Sequence, residues 1–313
     1  MDPFAAQMGD SPCEGGGRIP GAPGQPAFTL ARRKPSPIPV LIAVPHAGRC
    51  YPPSLVEQMR DPVGAGLKLE DRYVDLLART VARDTGAGLL IAQAPRAMID
   101  LNRAPEDMDW DMLAEGAPGN QVLRAGRRAR GGLGLVPRRL PGMGEIWRTR
   151  LPRQELDARL AGVHSPYHAA LATELASLRS RWGCALLVDL HSMPPLAPRR
   201  GAAGHADFVV GDRFGSSCDG ALSAAAFAHF ASSGHRAAHN RPYAGGYILD
   251  RHCAPAREIH GLQLEICRTL YLDASLREPT PAVGEVAGYL AALVRHLADE
   301  LAALGKTYRQ AAE

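Results

Sequence analysis

Leu186-Leu187-Val188-Asp189-Leu190-His191-Ser192-Met193-Pro194-Pro195 is the stretch whose reading decides the fold. The apolar run over residues 184–190 has the length of a buried strand and falls far short of the ~18 residues that cross a bilayer. It stops abruptly in a histidine, a serine and two prolines. In an open α/β sheet, ligands bind beyond the carboxyl ends of the strands, so His191, just past this strand, is a candidate functional residue.

Similar short runs occur at residues 40–44, 89–93, 207–211 and 262–267. Helical patterns separate them: residues 67–84 carry Leu69, Tyr73, Leu76, Leu77 and Thr80 at helical spacing, and 153–181, 220–233 and 280–304 are also amphipathic. Gly86, Gly183, Gly234 and Gly305 punctuate the ends of these patterns. Alternating strands and helices predict an α/β fold, with a largely parallel sheet covered by helices. Residues 1–36 are rich in Gly and Pro and poor in periodic apolar residues, which predicts a mobile tail ahead of a single domain over 37–313. Residues 104–151, with eight glycines and much arginine, read as an excursion over the active face.

Composition excludes several classes. Arg32, Arg33 and Lys34 precede an apolar run shorter than the roughly 7 to 15 residues of a secretion signal, and no run is long enough for a membrane span. Six cysteines without any pair two residues apart exclude a zinc ribbon and a thioredoxin-like motif, and point to reduced thiols in a cytoplasm. The net charge of +4 on 36 Lys and Arg against 32 Asp and Glu is small, and the basic cluster at 124–139 has no interleaved aromatics. Nucleic acid and membrane are therefore not expected partners. The oligomeric state is not legible.

A second strand-end histidine stands in Val44-Pro45-His46-Ala47-Gly48, where small residues let the backbone pass close to a ligand. Two imidazoles facing one pocket suit zinc, which at a catalytic site takes three protein ligands and leaves a position for water. A carboxylate is then needed, and Asp71 is preferred, with Glu70 as the alternative; both could instead simply favour the positive end of the following helix. Glu265, in Leu262-Gln263-Leu264-Glu265-Ile266-Cys267-Arg268, alternates with apolar neighbours. A buried carboxylate of this kind needs a cation, a metal or a polar cavity beside it, which makes it the candidate general base; the alternative is an ion pair with Arg268 or another arginine. Asn102 and Arg103 end another apolar stretch and suit a carboxylate on an acidic small-molecule substrate. Arg241-Pro242-Tyr243-Ala244-Gly245-Gly246-Tyr247 reads either as a loop that closes over a ligand or as an ordinary turn.

With these blocks assembled, the chain resembles the N-formylglutamate amidohydrolase family. The resemblance rests on Pro45 to Gly48, Asp71, Ile99-Asp100-Leu101-Asn102-Arg103, Pro166-Tyr167-His168 and Asp189-Leu190-His191-Ser192-Met193-Pro194. It continues through 207–211, 242–247, Gln263-Leu264-Glu265 and Leu270-Tyr271, spanning roughly residues 38 to 300. It implies a three-layer, mixed and mostly parallel sheet between helices, similar to zinc carboxypeptidases and aspartoacylases, with one zinc ion that cobalt or manganese can replace. His46, Asp71 and His191 take the implied metal-ligand roles, and Glu265 that of base. Arg103 and Asn102 hold the substrate carboxylate, with Tyr243, Gly245 and Gly246 beside it. The carboxypeptidase-like pattern has its metal carboxylate three residues after the first histidine, where this chain has Arg49 and then Cys50. The implied reaction is hydrolysis of an N-acyl amino acid. Its rivals are a carboxypeptidase or other acylamino-acid deacylase, and a non-catalytic protein that binds an acidic ligand.

Overall fold

A computed structural model describes residues 13–116, 126–197 and 205–312. Its strands are β1 (Cys13–Gly16), β2 (Phe28–Ala31), β3 (Val40–Val44), β4 (Gly88–Ala92), β5 (Arg139–Leu140), β6 (Gly144–Glu145), β7 (Ala185–Met193), β8 (Phe208–Gly211), β9 (Ala237–His239) and β10 (Ile259–Cys267). Eight of them form one sheet in the order β1-β2-β4-β3-β7-β10-β8-β9, and β5 pairs with β6 as a separate hairpin. The central four, β4, β3, β7 and β10, are parallel. β2 runs antiparallel to β4, and β8 antiparallel to β10, so the sheet is mixed as expected.

The pleat sorts each strand into two layers. Val40, Ile42 and Val44 of β3, with Leu186, Val188 and Leu190 of β7, face helices Val74–Thr85, Gly220–Ser232 and Val283–Ala312. Leu41, Ala43, Ala185 and Leu187 face the other way, onto helix Ser165–Trp182 and the segment that includes Met108, Trp110, Leu135 and Trp147. The glycine- and arginine-rich excursion thus covers one face of the sheet, holding itself there by its few large apolar residues. Arg124, at its basic end, lies outside the described residues.

Four expectations are corrected. Residues 13–36 are not a mobile tail: β1 and β2 extend the sheet, and Ile19, Ala27 and Phe28 are buried in its core. Few apolar residues suffice there because β4 supplies a preformed edge; residues 1–12 lie outside the described residues. The helix expected over 67–84 is two helices, Pro62–Leu69 and Val74–Thr85, with Tyr73 in a left-handed conformation at φ 56° between them. Arg268 causes the break. Its guanidinium donates to the carbonyls of Leu67 (3.2 Å) and Glu70, satisfying groups that a continuing helix would have used. The strand expected to stop before His191 runs on to Met193, because β10 pairs with it throughout. The last helix passes through Gly305 to Ala312.

The helical pattern over 153–181 is continuous but changes pitch: Arg153–Arg159 leads into a π turn at Leu160–His164 and then into Ser165–Trp182. Pro166 has no N–H for the carbonyl of Gly162 four residues earlier. That carbonyl instead accepts from the backbone N–H of Arg18 at 2.7 Å, which ties the N-terminal segment to the helix.

Candidate metal centre

The parallel pairing of β7 and β10 sets Glu265 beside His191 and Gln263 beside Asp189. All four side chains belong to the face opposite Leu190, Leu264 and Ile266, at the carboxyl end of the sheet. His46 follows β3, which neighbours β7. Only glycine fits at position 48, since a Cβ there would overlap the Ala94 carbonyl at the end of β4. Asp71 lies in the break between the two helices, with its N–H donating to His46 O at 2.9 Å, so the strand end and the break are fixed to each other.

His46, Asp71 and His191 are all buried, and their potential ligand atoms lie within 4.8 Å of one another. Among the described residues they form the single group of this kind. Each imidazole is backed by a carboxylate on its other nitrogen: His46 Nε2 lies 2.7 Å from Asp100 Oδ1, and His191 Nε2 lies 3.1 Å from Asp189 Oδ2. A neutral imidazole donating there turns its Nδ1 lone pair inward. His191 Nδ1 then meets Asp71 Oδ2 at 2.8 Å, and His46 Nδ1 faces the same oxygen at 3.6 Å. His46 Nδ1 has no hydrogen-bond partner although it is buried. Two lone pairs and a carboxylate oxygen directed at one point repel unless a proton or a cation sits among them. The donor set, two imidazole nitrogens and one carboxylate oxygen with backing carboxylates, therefore fits a zinc-type ion.

Electrostatics agree with this geometry. Burial alone would raise the Asp71 carboxyl, but the His191 and His46 imidazoles facing it outweigh burial and hold the group well below the carboxylate range. Burial disfavours charge on His191, yet Asp189 and Asp71 overcome it and push the imidazole up. Glu265 moves the other way: burial raises it, His191 opposes, and Asp71 adds repulsion, leaving it at about 7. Its Oε1 accepts from Gln263 Nε2 at 2.8 Å.

Glu70, the alternative ligand, is turned away and pairs with Arg72 at 3.1 Å. Arg268 does not pair with Glu265; it is engaged with Ser192 Oγ and the carbonyls that break the helix, and its Nη2 lies 3.6 Å from Asp71 Oδ1. A cavity of about 530 Å³ opens over the cluster and brings together His46, Asp71, His191, Glu265, Asn102, Arg103, Tyr243, Gly245 and Gly246. Asn102 corrects the sequence reading in one respect. Its amide is committed inside the protein, accepting from Ile248 N at 2.9 Å and donating to Gln263 Oε1 at 3.3 Å, so it braces the loop at 246–248 and offers no free donor for a carboxylate. Gly246 is required by this contact, because a Cβ would run into Asn102 Oδ1. Arg103 donates Nε to Leu133 O and Nη1 to its neighbour's carbonyl.

Sequence reasoning gave no role to Asp100, Asp189, Gln263 or Arg96. Asp189 carried a signal, being an acid inside an apolar strand two residues before His191 and hence on the same face. Asp100 is fully occupied, by His46 and Asn102 N on Oδ1 and by Arg96 Nε at 2.9 Å on Oδ2.

Residues 38–272 match the family model described as N-formylglutamate amidohydrolase. Over 276 residues the chain is 31% identical to the N-formylglutamate deformylase of Pseudomonas aeruginosa, covering 86% of this chain and 94% of that protein. The Pseudomonas putida enzyme of the same name is 30% identical over 79% of this chain and 89% of its own length. Among solved structures, N-formylglutamate amidohydrolase from Ralstonia eutropha JMP134 is similar with a TM-score of 0.73 and 30% identity, covering 91% of this chain and 99% of that one.

Proposed function

The chain belongs to the N-formylglutamate amidohydrolase family, and from that premise we propose that it hydrolyses N-formyl-L-glutamate to formate and L-glutamate with one divalent metal ion, zinc by preference. The observation that carries the metal-dependent reading is the convergence of His46 Nδ1, His191 Nδ1 and Asp71 Oδ2, with both imidazoles backed by carboxylates.

His46, Asp71 and His191 would hold the ion. When bound, it supplies Lewis acidity, lowering the pKa of a coordinated water toward ~7 and polarising a carbonyl. The chain's own residues do the rest. Glu265, raised to about 7 by burial, takes a proton from the attacking water and returns it to the departing amine nitrogen, so that water adds across the C–N bond. Gln263 anchors Glu265 Oε1, which leaves Oε2 for this transfer. Arg96, fixed by Asp100 and lining the cavity, offers positive charge to the oxygen on which negative charge develops. Arg103, Tyr243, Gly245 and Gly246 form the cavity wall against which the amino-acid portion is oriented.

Bound metal and formate release from N-formyl-L-glutamate should be measured on one sample, before and after chelation and re-addition of zinc. Turnover that tracks metal content supports the reading, and undiminished turnover in the stripped protein refutes it. In Glu265→Gln, kcat should fall by about 10²- to 10⁴-fold with metal content unchanged, since base and ligands are separate groups.

A further inference from the structure

Six cations line the cavity: Lys68, Arg96, Arg103, Arg128, Arg213 and Arg268. Four pair with carboxylates: Arg96 with Asp100 at 2.9 Å, Arg213 with Asp250 at 2.6 Å, Arg268 with Asp71 at 3.6 Å and Arg103 with Asp107 at 3.9 Å. Arg268 is held by Ser192 and the helix-breaking carbonyls, and Arg103 by the carbonyls of Leu133 and Asn102. Lys68 donates to Pro141 O at 3.2 Å. Among the described residues, none places an oxygen within hydrogen-bonding distance of the Arg128 guanidinium.

The backbone under Arg128 is nonetheless anchored. It belongs to the short helix Arg127–Arg130, in which Ala129 is fully buried in the core. Gly126 N–H donates to Asp107 Oδ1 at 2.9 Å before the helix, and Leu133 N–H donates to Arg128 O at 2.8 Å after it. With Ala129 turned inward, Arg128 is the one arginine of the three in this helix that reaches the cavity wall. Its charge is felt inside. Arg103, pushed down first by its burial, is pushed further by Arg96 and Arg128, with Asp100 and Asp107 compensating only in part. An anchored guanidinium without a partner among the described residues, on a cavity wall where cations repel one another, is complementary to a further anion.

We infer that Arg128 determines specificity in this cavity by binding the side-chain carboxylate of an N-acylated acidic amino acid, the group that distinguishes such substrates from their neutral counterparts. The inference rests on the amidohydrolase reading given above. It also gives the arginine-rich excursion a function: the segment that covers the sheet carries the charge that selects the substrate.

The test compares N-formyl-L-glutamate with N-formyl-L-glutamine, which matches it in shape but lacks the charge. In Arg128→Gln, KM for the glutamate substrate should rise by about 10- to 100-fold with kcat much less affected, the scale set by one lost charge-assisted contact. The change for the glutamine substrate should be at least about tenfold smaller, and Arg128→Lys should be intermediate because a point charge replaces a fork. Equal losses on both substrates, or no loss on either, would overturn the role of Arg128 while leaving the amidohydrolase reading intact. A wild-type protein that releases formate from neither substrate would overturn both together.

Discussion

His46 and His191 meet side chains of the turn at residues 100–103, Asp100 and Asn102, whereas His164 and His168, with His252 behind them, meet its backbone. Both groups are buried, yet their partners differ in kind. The first pair is backed by Asp100 and Asp189 and faces Asp71. The second group meets only carbonyls and one another: His168 Nε2 donates to Leu101 O at 3.0 Å, His164 Nε2 to Arg103 O at 3.0 Å, and His252 Nε2 to His168 Nδ1 at 2.8 Å. The His168 and His252 rings lie nearly coplanar, 5.1 Å between centroids, as that in-plane hydrogen bond requires, and the Tyr247 ring lies 5.9 Å from that of His164. Carboxylates make a buried imidazole ready for a cation, whereas carbonyls and a second imidazole make it a neutral donor. Burial, with neighbouring His164, His252 and Arg251 adding to it, pushes His168 down to about 2; burial and Arg251 push His252 to about 4. The second cluster thus fixes the backbone from which Asp100 and Asn102 reach the first.

The largest expected effect would break the comparison outright. His191→Ala should lose both bound metal and more than about 10³-fold in turnover, while His168→Gln, which keeps an amide donor for Leu101 O, should retain stoichiometric metal. Equal metal loss in the two variants would show that the clusters do not differ as argued. A smaller effect tests the backing carboxylates. Asp100→Asn should leave the ligands in place but weaken metal affinity about 10- to 100-fold, as measured by competition with a chelator.

The smallest effect concerns pH. The folded protein holds His168 and His252 below the ordinary value of 6.5, so the unfolded chain binds more protons as the solution is acidified. Their contribution to stability is complete above pH 6.5 and is lost progressively as pH falls toward about 4 for His252 and about 2 for His168. Between pH 7 and 5 the loss attributable to His252 is at most about 2 kcal/mol. The decline in Tm over that range should accordingly be shallower by a few degrees in His252→Asn than in the wild type. A slope that is the same in both would place the acid sensitivity elsewhere.

Much of the site was legible because strand periodicity reports which side chains share a face. His191 and Glu265 each lie near the carboxyl end of a largely apolar strand, and the parallel register of β7 and β10 then sets them side by side. Asp189 was legible on the same grounds, as a charge inside a buried strand. The cluster of His164, His168 and His252 was not, since its members come from a π turn, the helix after it and a short helix some 80 residues later, and no local pattern connects them.

The sequence by itself determined the α/β class, the central strands and the two histidines near the carboxyl ends of strands, because these depend on hydrophobic period and chain direction, which are local. Only the tertiary structure decided the rest. Whether residues 67–84 form one helix or two depends on where the guanidinium of Arg268 arrives from the end of β10, and that break turns Asp71 toward the histidines while Glu70 pairs with Arg72. The order of residues 13–36 depends in the same way on an edge that β4 provides from a distant part of the chain. In both places the deciding contact joins residues far apart in sequence, so no window of local pattern contains it.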